Sequence, residues 1–366
     1  MSVRTDWFSS LTGFAERSHA GVHKFISING SILTSTRSHV SYQCGRLELA
    51  SLGALRERIA GLPSVGKLSV SELVGDAKAL HAVESNAGAV FQVASQFNLL
   101  EMVSPSVTPE QGVTIYENDP TQGPACAIAC GAGTIYRNYF VELDGQVGQT
   151  AGRQVDCLAD IGAALGNSSP HPQPLSPQER AAQERRGERN VRLWEMRNGY
   201  ALPSQQGLAE IDEQLKAMSE AELDKLRARL KIGVQWNTQV TLSTRENEGC
   251  SHLVTHAYCS ALPVAYSGLA SEQWERFARM ILEAAYEATL AVAVVNAANT
   301  SNKTVLLTLL GGGAFGNDQR WILDAIQRAC SLFAARDLDV KIVSYRSSKP
   351  VVRQLVASIQ RRSDDL

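Results

Sequence analysis

The stretch that most limits the fold is Val305-Leu306-Leu307-Thr308-Leu309-Leu310-Gly311-Gly312-Gly313-Ala314-Phe315-Gly316-Asn317-Asp318-Gln319. An apolar run of strand length enters consecutive glycines, and a helical pattern resumes at Gln319. A strand that ends this way offers backbone N–H groups at its C-terminal edge, aimed towards the start of a helix. Such an arrangement suits an anion, and a phosphate above all. A plain tight strand-to-helix turn is the competing reading. The loop lacks the Gly-Lys-Ser/Thr of ATPase phosphate loops and the Gly-x-Gly-x-x-Gly spacing of dinucleotide folds, which removes kinase and GTPase chemistry.

Around that run, strand and helix patterns alternate. Ala89–Ala94 is nearly continuously apolar, as expected of a strand covered on both faces. Ser271–Leu290 has Trp274, Phe277, Ile281, Ala284 and Ala285 at helical spacing. Lys303–Leu310, Gln319–Ala335, Val340–Tyr345 and Lys349–Gln360 then read as strand, helix, strand and helix. The order predicts an α/β fold, with a partly parallel sheet between helices on both faces. Earlier, Leu47–Ile59 reads as a helix closed near Gly61 and Pro63. Ser69-Val70-Ser71-Glu72 has the form of a capping box opening a helix through Leu80. Phe25–Gly30 can be a strand ending in an Asn-Gly turn. Asp156–Leu165 is a helix or a polar-edged strand. Charged helical patterns at about 177–197 and 205–230 form an insertion, Gln239–Ser243 a strand, and His256–Ser267 an edge or bulged strand because of Pro263.

With 366 residues and 44% hydrophobic content, the chain can bury a large core. Its net charge of −2 gives no sign of a nucleic-acid partner. Seven scattered cysteines suit a reducing compartment, and a cytoplasmic location is expected. No apolar run reaches the length of a membrane span. His252 and His256 have metal-ligand spacing without the acidic pattern of a His-Glu-x-x-His site. Cys126 and Cys130 have no nearby cysteine–histidine set that would complete zinc coordination. Neither a metal nor a cofactor is called for by the sequence.

Asp119 is bounded by proline and glycine in Tyr116-Glu117-Asn118-Asp119-Pro120-Thr121-Gln122-Gly123-Pro124, where no regular helix can run through. A carboxylate there can orient water, hold a hydroxyl or guanidinium, or stabilise positive charge at an anomeric carbon. It can equally cap its own turn. Gln96, Asn98 and Glu101, just beyond a buried strand, are open to the same two readings. Asp318 suits a helix cap. Tyr345, at the end of the last strand, suits either stacking on a base or packing against a helix.

Three segments, Phe91–Glu101, Asp119–Ala125 and Leu310–Asn317, together resemble a divergent macrodomain. The resemblance is to arginine-specific ADP-ribosylhydrolases and, more distantly, to poly(ADP-ribose) glycohydrolase. It spans roughly residues 65–350 and implies a three-layer α/β/α macrodomain-like mixed sheet, with residues 1–64 as an N-terminal extension packed on a main domain of 65–366. That main domain carries a helical insertion at about 177–230.

By resemblance, Gly312, Gly313, Ala314, Phe315, Gly316 and Asn317 would surround a diphosphate and distal ribose. Gln92, Gln96, Asn98 and Glu101 would lie in or beside the first substrate loop. Thr121 and Tyr345 would join the substrate contacts, while Asp119 and Gln122 would carry catalysis. The partners implied are ADP-ribose and ADP-ribosylated protein. Two departures stand out. The paired glutamates that follow the glycine-rich signature of poly(ADP-ribose) glycohydrolases are missing, which disfavours polymer cleavage by that mechanism. Asn296-Ala297-Ala298-Asn299 mimics a macrodomain tetrapeptide but follows a long helix, and reads as a helix-ending loop. The expected activity is hydrolysis of the N-glycosidic bond between ADP-ribose and arginine. A reader module that binds ADP-ribose without turnover is the alternative.

Overall fold

The computed structural model describes residues 6–64, 66–167, 192–242 and 250–364. Seven strands form the central sheet: β1 (Arg46–Ser51), β2 (Ser69–Val74), β3 (Val90–Ala94), β4 (Lys231–Gln239), β5 (Leu253–Cys259), β6 (Thr304–Leu307) and β7 (Asp339–Ser344). Their spatial order is β1-β4-β5-β3-β6-β7-β2. The pairs β5–β3, β3–β6, β6–β7 and β7–β2 are parallel, whereas β4 is antiparallel to both of its neighbours. Only β4 therefore runs against the rest.

Side-chain alternation along the strands defines the two faces. Gln92 of β3 and Cys259 of β5 reach Thr289 in the long helix Glu275–Thr300. Phe91 stacks on His81, and Tyr258 meets Arg137, on the other face. The long helix is covered in turn by Gln319–Leu332 and Leu52–Ala60, while Gln122–Ala129 and Gly131–Tyr139 pack on the opposite face. The result is a three-layer α/β/α mixed sheet, as expected. Residues 271–300 contain an 18-residue stretch apolar enough for a membrane span, but 89% of that stretch is buried inside the protein, so its composition reflects core packing.

Several local readings give way to tertiary context. Leu47–Ile59 is not one helix: Arg46–Ser51 pairs with β4 and only Leu52–Ala60 is helical, capped by Ser51. Segment 1–64 thus supplies an edge strand of the sheet as well as a small three-stranded sheet. Phe8, Leu11, Val22 and Leu33 share a core cluster with Ala132 and Tyr139. The capping-box pattern at Ser69 opens a strand, because β7 offers a complete parallel partner along Ser69–Val74. Ser260–Pro263 lies beyond β5, so Pro263 does not interrupt that strand, which is central and not an edge. The small-residue stretch 122–139 forms two helices separated at Cys130, with Pro124 tolerated in the first turn of the first helix. Asn296–Asn299 stays helical, and Asn296 ties β5 and Gly88 to the helix end.

The expected insertion lies in part outside the described residues, at 177–191. Its described part contains a hairpin, Trp194–Arg197 with Tyr200–Pro203, followed by helices Gln205–Ala217 and Glu220–Arg227. Ser243 is also outside the described residues; of the strand expected at Gln239–Ser243 only Gln239 is in β4, and 240–242 leave the sheet.

Candidate active site

The C-terminal ends of the parallel strands open into one cavity of about 480 Å³. Open α/β sheets hold ligands at this edge, because neighbouring strand-end loops diverge there. Segments at the ends of five strands contribute: Gly75–Ala77 after β2, Ala94–Gln96 at the end of β3, Ala261 after β5, Thr308–Phe315 after β6 and Tyr345 after β7. Asp119–Ala125 forms the facing wall.

The glycine loop leaves the sheet by a fixed route. Tyr286 of the long helix accepts from the Leu310 amide at 2.8 Å and donates to the Thr308 carbonyl at 2.7 Å. Gly311 and Gly316 have φ of +76° and +69°, a region that disfavours side chains, and a Cβ at Gly311 would sit 2.5 Å from Ala261. Asn317 closes the loop from within. Its amide donates to Gly311 and its Nδ2 to the Leu262 carbonyl. The amides of Gly311, Gly313, Ala314 and Phe315 donate to no acceptor among the described residues. Gly312, Gly313 and Ala314 are exposed at the rim. A Cβ on Gly313 would meet nothing within 4 Å. The loop is therefore a rigid turn carrying unengaged N–H donors, which is the local requirement for an anion site.

Phe315 packs against Tyr200 and Tyr266, with ring centroids 5.3 and 5.7 Å away. Tyr200 is anchored by its hydroxyl to the Met102 carbonyl. These aromatics give the cavity an apolar wall beside the glycine loop. Tyr345, half exposed, and Lys349 sit further round the rim. Lys349 is the only cation among the lining residues.

On the opposite wall, Asp119 is half-buried. One carboxylate oxygen accepts from the Thr121 amide at 2.9 Å, and the other has no partner among the described residues. The turn-capping reading and the pocket reading of this residue hold together: the cap orients the side chain and leaves an oxygen facing the cavity's polar content. Thr121, also on this wall, is exposed.

Gln122 behaves differently. Its Oε1 accepts from the Ala94 amide and its Nε2 donates to the Gln92 carbonyl, so it completes the hydrogen bonding at the end of β3. Both polar atoms are engaged by backbone. Gly123 permits this approach, since a Cβ there would lie 2.0 Å from the Ala94 oxygen.

The other polar residues after β3 are also turned inward. Gln92 and Asn98 do not line the cavity. Gln92 joins Thr289 to the Thr308 amide, and Asn98 bonds Gln154 and the Leu100 amide. Gly316 is likewise absent from the lining, placed at the base of the loop against Ala265. Gln96 touches the cavity, but both of its polar side-chain atoms bond Met102 backbone.

Glu101 contributes to the cavity lining, but its carboxylate is fully buried behind it, with both oxygens accepting from Arg137 Nη2 at 2.9 Å. Burial pushes this carboxyl up to about 7. The Arg137 guanidinium and the Tyr116 hydroxyl pull against that shift without cancelling it. Arg137 also donates to the carbonyl of Leu99, whose φ of +66° turns it towards the guanidinium, and to Tyr258. A hydrogen-bonded series continues from Tyr258 to His256 and on to His81, which ends on the Ala77 carbonyl. His256 is thus not paired with His252, whose ring bonds the His81 carbonyl.

Sequence reasoning missed Asp76, Tyr200 and Lys349 of the cavity, and the whole buried series; Tyr266, which by sequence suits either core or pocket edge, lines the cavity. Asp76 carried a usable signal as a helix cap, and it caps Ala77–His81. The aromatics carried none beyond composition, because loops distant in sequence bring them together.

No family model matches the sequence, and no curated protein matches it. Among solved structures, poly(ADP-ribose) glycohydrolase from Thermomonospora curvata is similar over 94% of this chain and 96% of that chain, with 13% identity and a TM-score of 0.42. The Deinococcus radiodurans poly(ADP-ribose) glycohydrolase crystallised with ADP-ribose is similar over 88% of this chain and 94% of that chain, with 12% identity and a TM-score of 0.42. At that level of superposition the likeness assigns neither ligand nor activity to this chain.

Proposed function

We propose that the protein hydrolyses the N-glycosidic bond between ADP-ribose and arginine on a modified protein. The observation that carries this reading is the shared cavity, in which a glycine loop with unengaged backbone N–H groups faces a carboxylate with a free oxygen. The three sequence segments that resemble arginine-specific ADP-ribosylhydrolases supply the choice of linkage.

In this reading the loop amides hold the diphosphate, and the wall of Phe315, Tyr200 and Tyr266 borders a sugar or base face. Remote binding energy at the diphosphate then fixes the scissile bond against Asp119. As the bond to the guanidino nitrogen lengthens, positive charge gathers on the ribose ring, and the Asp119 carboxylate stabilises it electrostatically. Water adds to the anomeric carbon, the bond to nitrogen breaks, and a proton passes to the departing guanidine. The same carboxylate orients the water or the ribose hydroxyl next to it. Glu101 stays behind the wall in its pair with Arg137 and holds the first strand-end loop in shape.

The test is release of ADP-ribose from arginine-linked, glutamate-linked and poly(ADP-ribose)-modified protein, with retained ADP-ribose measured alongside. Preferential release from arginine is expected. Turnover confined to glutamate linkages or polymer replaces the linkage named here. Tight ADP-ribose binding without release from any substrate identifies a reader module instead.

A further inference from the structure

Beneath the cavity floor, His81, Cys130 and His256 bring one ligand atom each to within 4.8 Å of one another, and all are fully buried. They come from different elements: the C-terminal residue of helix Ala77–His81, the junction between helices Gln122–Ala129 and Gly131–Tyr139, and strand β5. His256 Nε2 lies 2.8 Å from His81 Nε2 and 3.5 Å from Cys130 Sγ. Metal–nitrogen bonds of about 2.0–2.1 Å and a metal–sulfur bond of about 2.3 Å, at tetrahedral angles, put two nitrogens about 3.3 Å apart and nitrogen and sulfur about 3.6 Å apart. These two separations are within small side-chain adjustments of those spacings, and the third, between His81 and Cys130, is no more than 4.8 Å.

The outer contacts fit as well. Metal-bound imidazoles donate their second N–H to an oxygen, which fixes ring orientation. His81 Nδ1 lies 2.6 Å from the Ala77 carbonyl, and His256 Nδ1 lies 2.7 Å from the Tyr258 hydroxyl. Without metal the carbonyl makes His81 Nδ1 the donor, so the facing nitrogens share the one proton on His256 Nε2, which Tyr258 balances by donating to Nδ1. Metal binding needs only a tautomer change at His256 and loss of the Cys130 proton. The buried Thr238 hydroxyl lies beside Cys130, where it can donate to a thiolate.

We propose that His81, Cys130 and His256 form a buried structural site for a thiophilic metal ion, zinc or copper(I). Two imidazoles and a thiolate are the ligands both ions favour. The ion would clamp the short helix whose first residue, Ala77, lines the cavity to the sheet beneath it.

The test uses the full chain, purified under reducing conditions, assayed for bound metal and then stripped. Cobalt(II) serves as the spectroscopic probe for the zinc class, and copper(I) is titrated against a chromophoric chelator. A single equivalent is expected, with thiolate-to-cobalt absorption for the zinc class or chelator-competitive uptake for copper(I), and a raised Tm on loading. Cys130→Ser, which keeps size and shape, should remove the thiolate absorption and weaken metal binding at least a hundredfold while the circular dichroism is retained. Absence of both cobalt–thiolate absorption and copper(I) uptake in the wild type overturns the proposal, whatever the variant does. Metal binding of equal strength in a folded Cys130→Ser protein also overturns it.

Discussion

Around the cavity, polar groups are used in two opposite ways. The loop 311–317 satisfies its internal bonds through Asn317 and Tyr286 and leaves four amides without acceptors among the described residues. The segment 92–101 is richer in polar side chains, yet Gln92, Gln96, Asn98 and Glu101 are all engaged inside the protein. Polar residues at a strand end therefore divide into groups that present a ligand surface and groups that hold that surface in shape. Accounting for each donor and acceptor separates them, whereas residue type does not.

The sharpest challenge to the supporting role of 92–101 is Arg137→Met. It leaves the Glu101 carboxylate buried without its cation, and a loss of about 3–5 kcal/mol in urea denaturation at pH 8 is expected. A loss below 1 kcal/mol would mean that the pair does not hold the wall. The same residue has a pH signature. Because burial raises the folded-state carboxyl to about 7, its contribution to stability is fully present below the unfolded value near 4.5 and falls as pH rises through about 7. The stability difference between wild type and Glu101→Gln should slope across that window and level off on either side; a flat difference would place the carboxyl's folded and unfolded titrations together.

Asp119→Ala tests the other side of the comparison. Turnover should fall about 10²–10³-fold with binding of ADP-ribose nearly unchanged, as for removal of a group that acts mainly on the transition state. Unaltered kcat would remove Asp119 from the chemistry. Gln122→Ala should instead cost stability, about 1–3 kcal/mol, because the Ala94 amide and the Gln92 carbonyl lose their partner. If it abolishes turnover with unchanged stability, Gln122 belongs with Asp119.

The smallest expected change in free energy is the cleanest in kind. Gly313→Val places a branched side chain where the protein leaves open space, so folding should be unaffected. Affinity for ADP-ribose, read by calorimetry, should drop about tenfold or more as the side chain obstructs approach to the loop amides. Unchanged affinity would show that the anion lies elsewhere along the cavity.

Much of the ligand-facing half was legible because its signals are local. A strand running into glycines fixes where backbone donors emerge, and Pro120 fixes an irregular turn at Asp119 before the helix that starts at Gln122. The readings that failed, a helix at Ser69 and another through Leu47, relied on equally local signals that a sheet partner overrode. Glu101 was visible as a candidate, but nothing near it in the chain foretold Arg137, 36 residues away, or the burial of both.

The sequence by itself determined the order of strands and helices in the second half, the glycine loop at a strand's C-terminal edge, and the acidic turn as its counterpart. Only the tertiary structure decided that these line one cavity, that both polar atoms of Gln122 bond backbone at the end of β3, and that His81 meets His256 across 175 residues. The reason is physical. Backbone conformation and donor exposure follow largely from neighbours in the chain, whereas desolvation, pairing and convergence of side chains depend on which elements the sheet brings side by side.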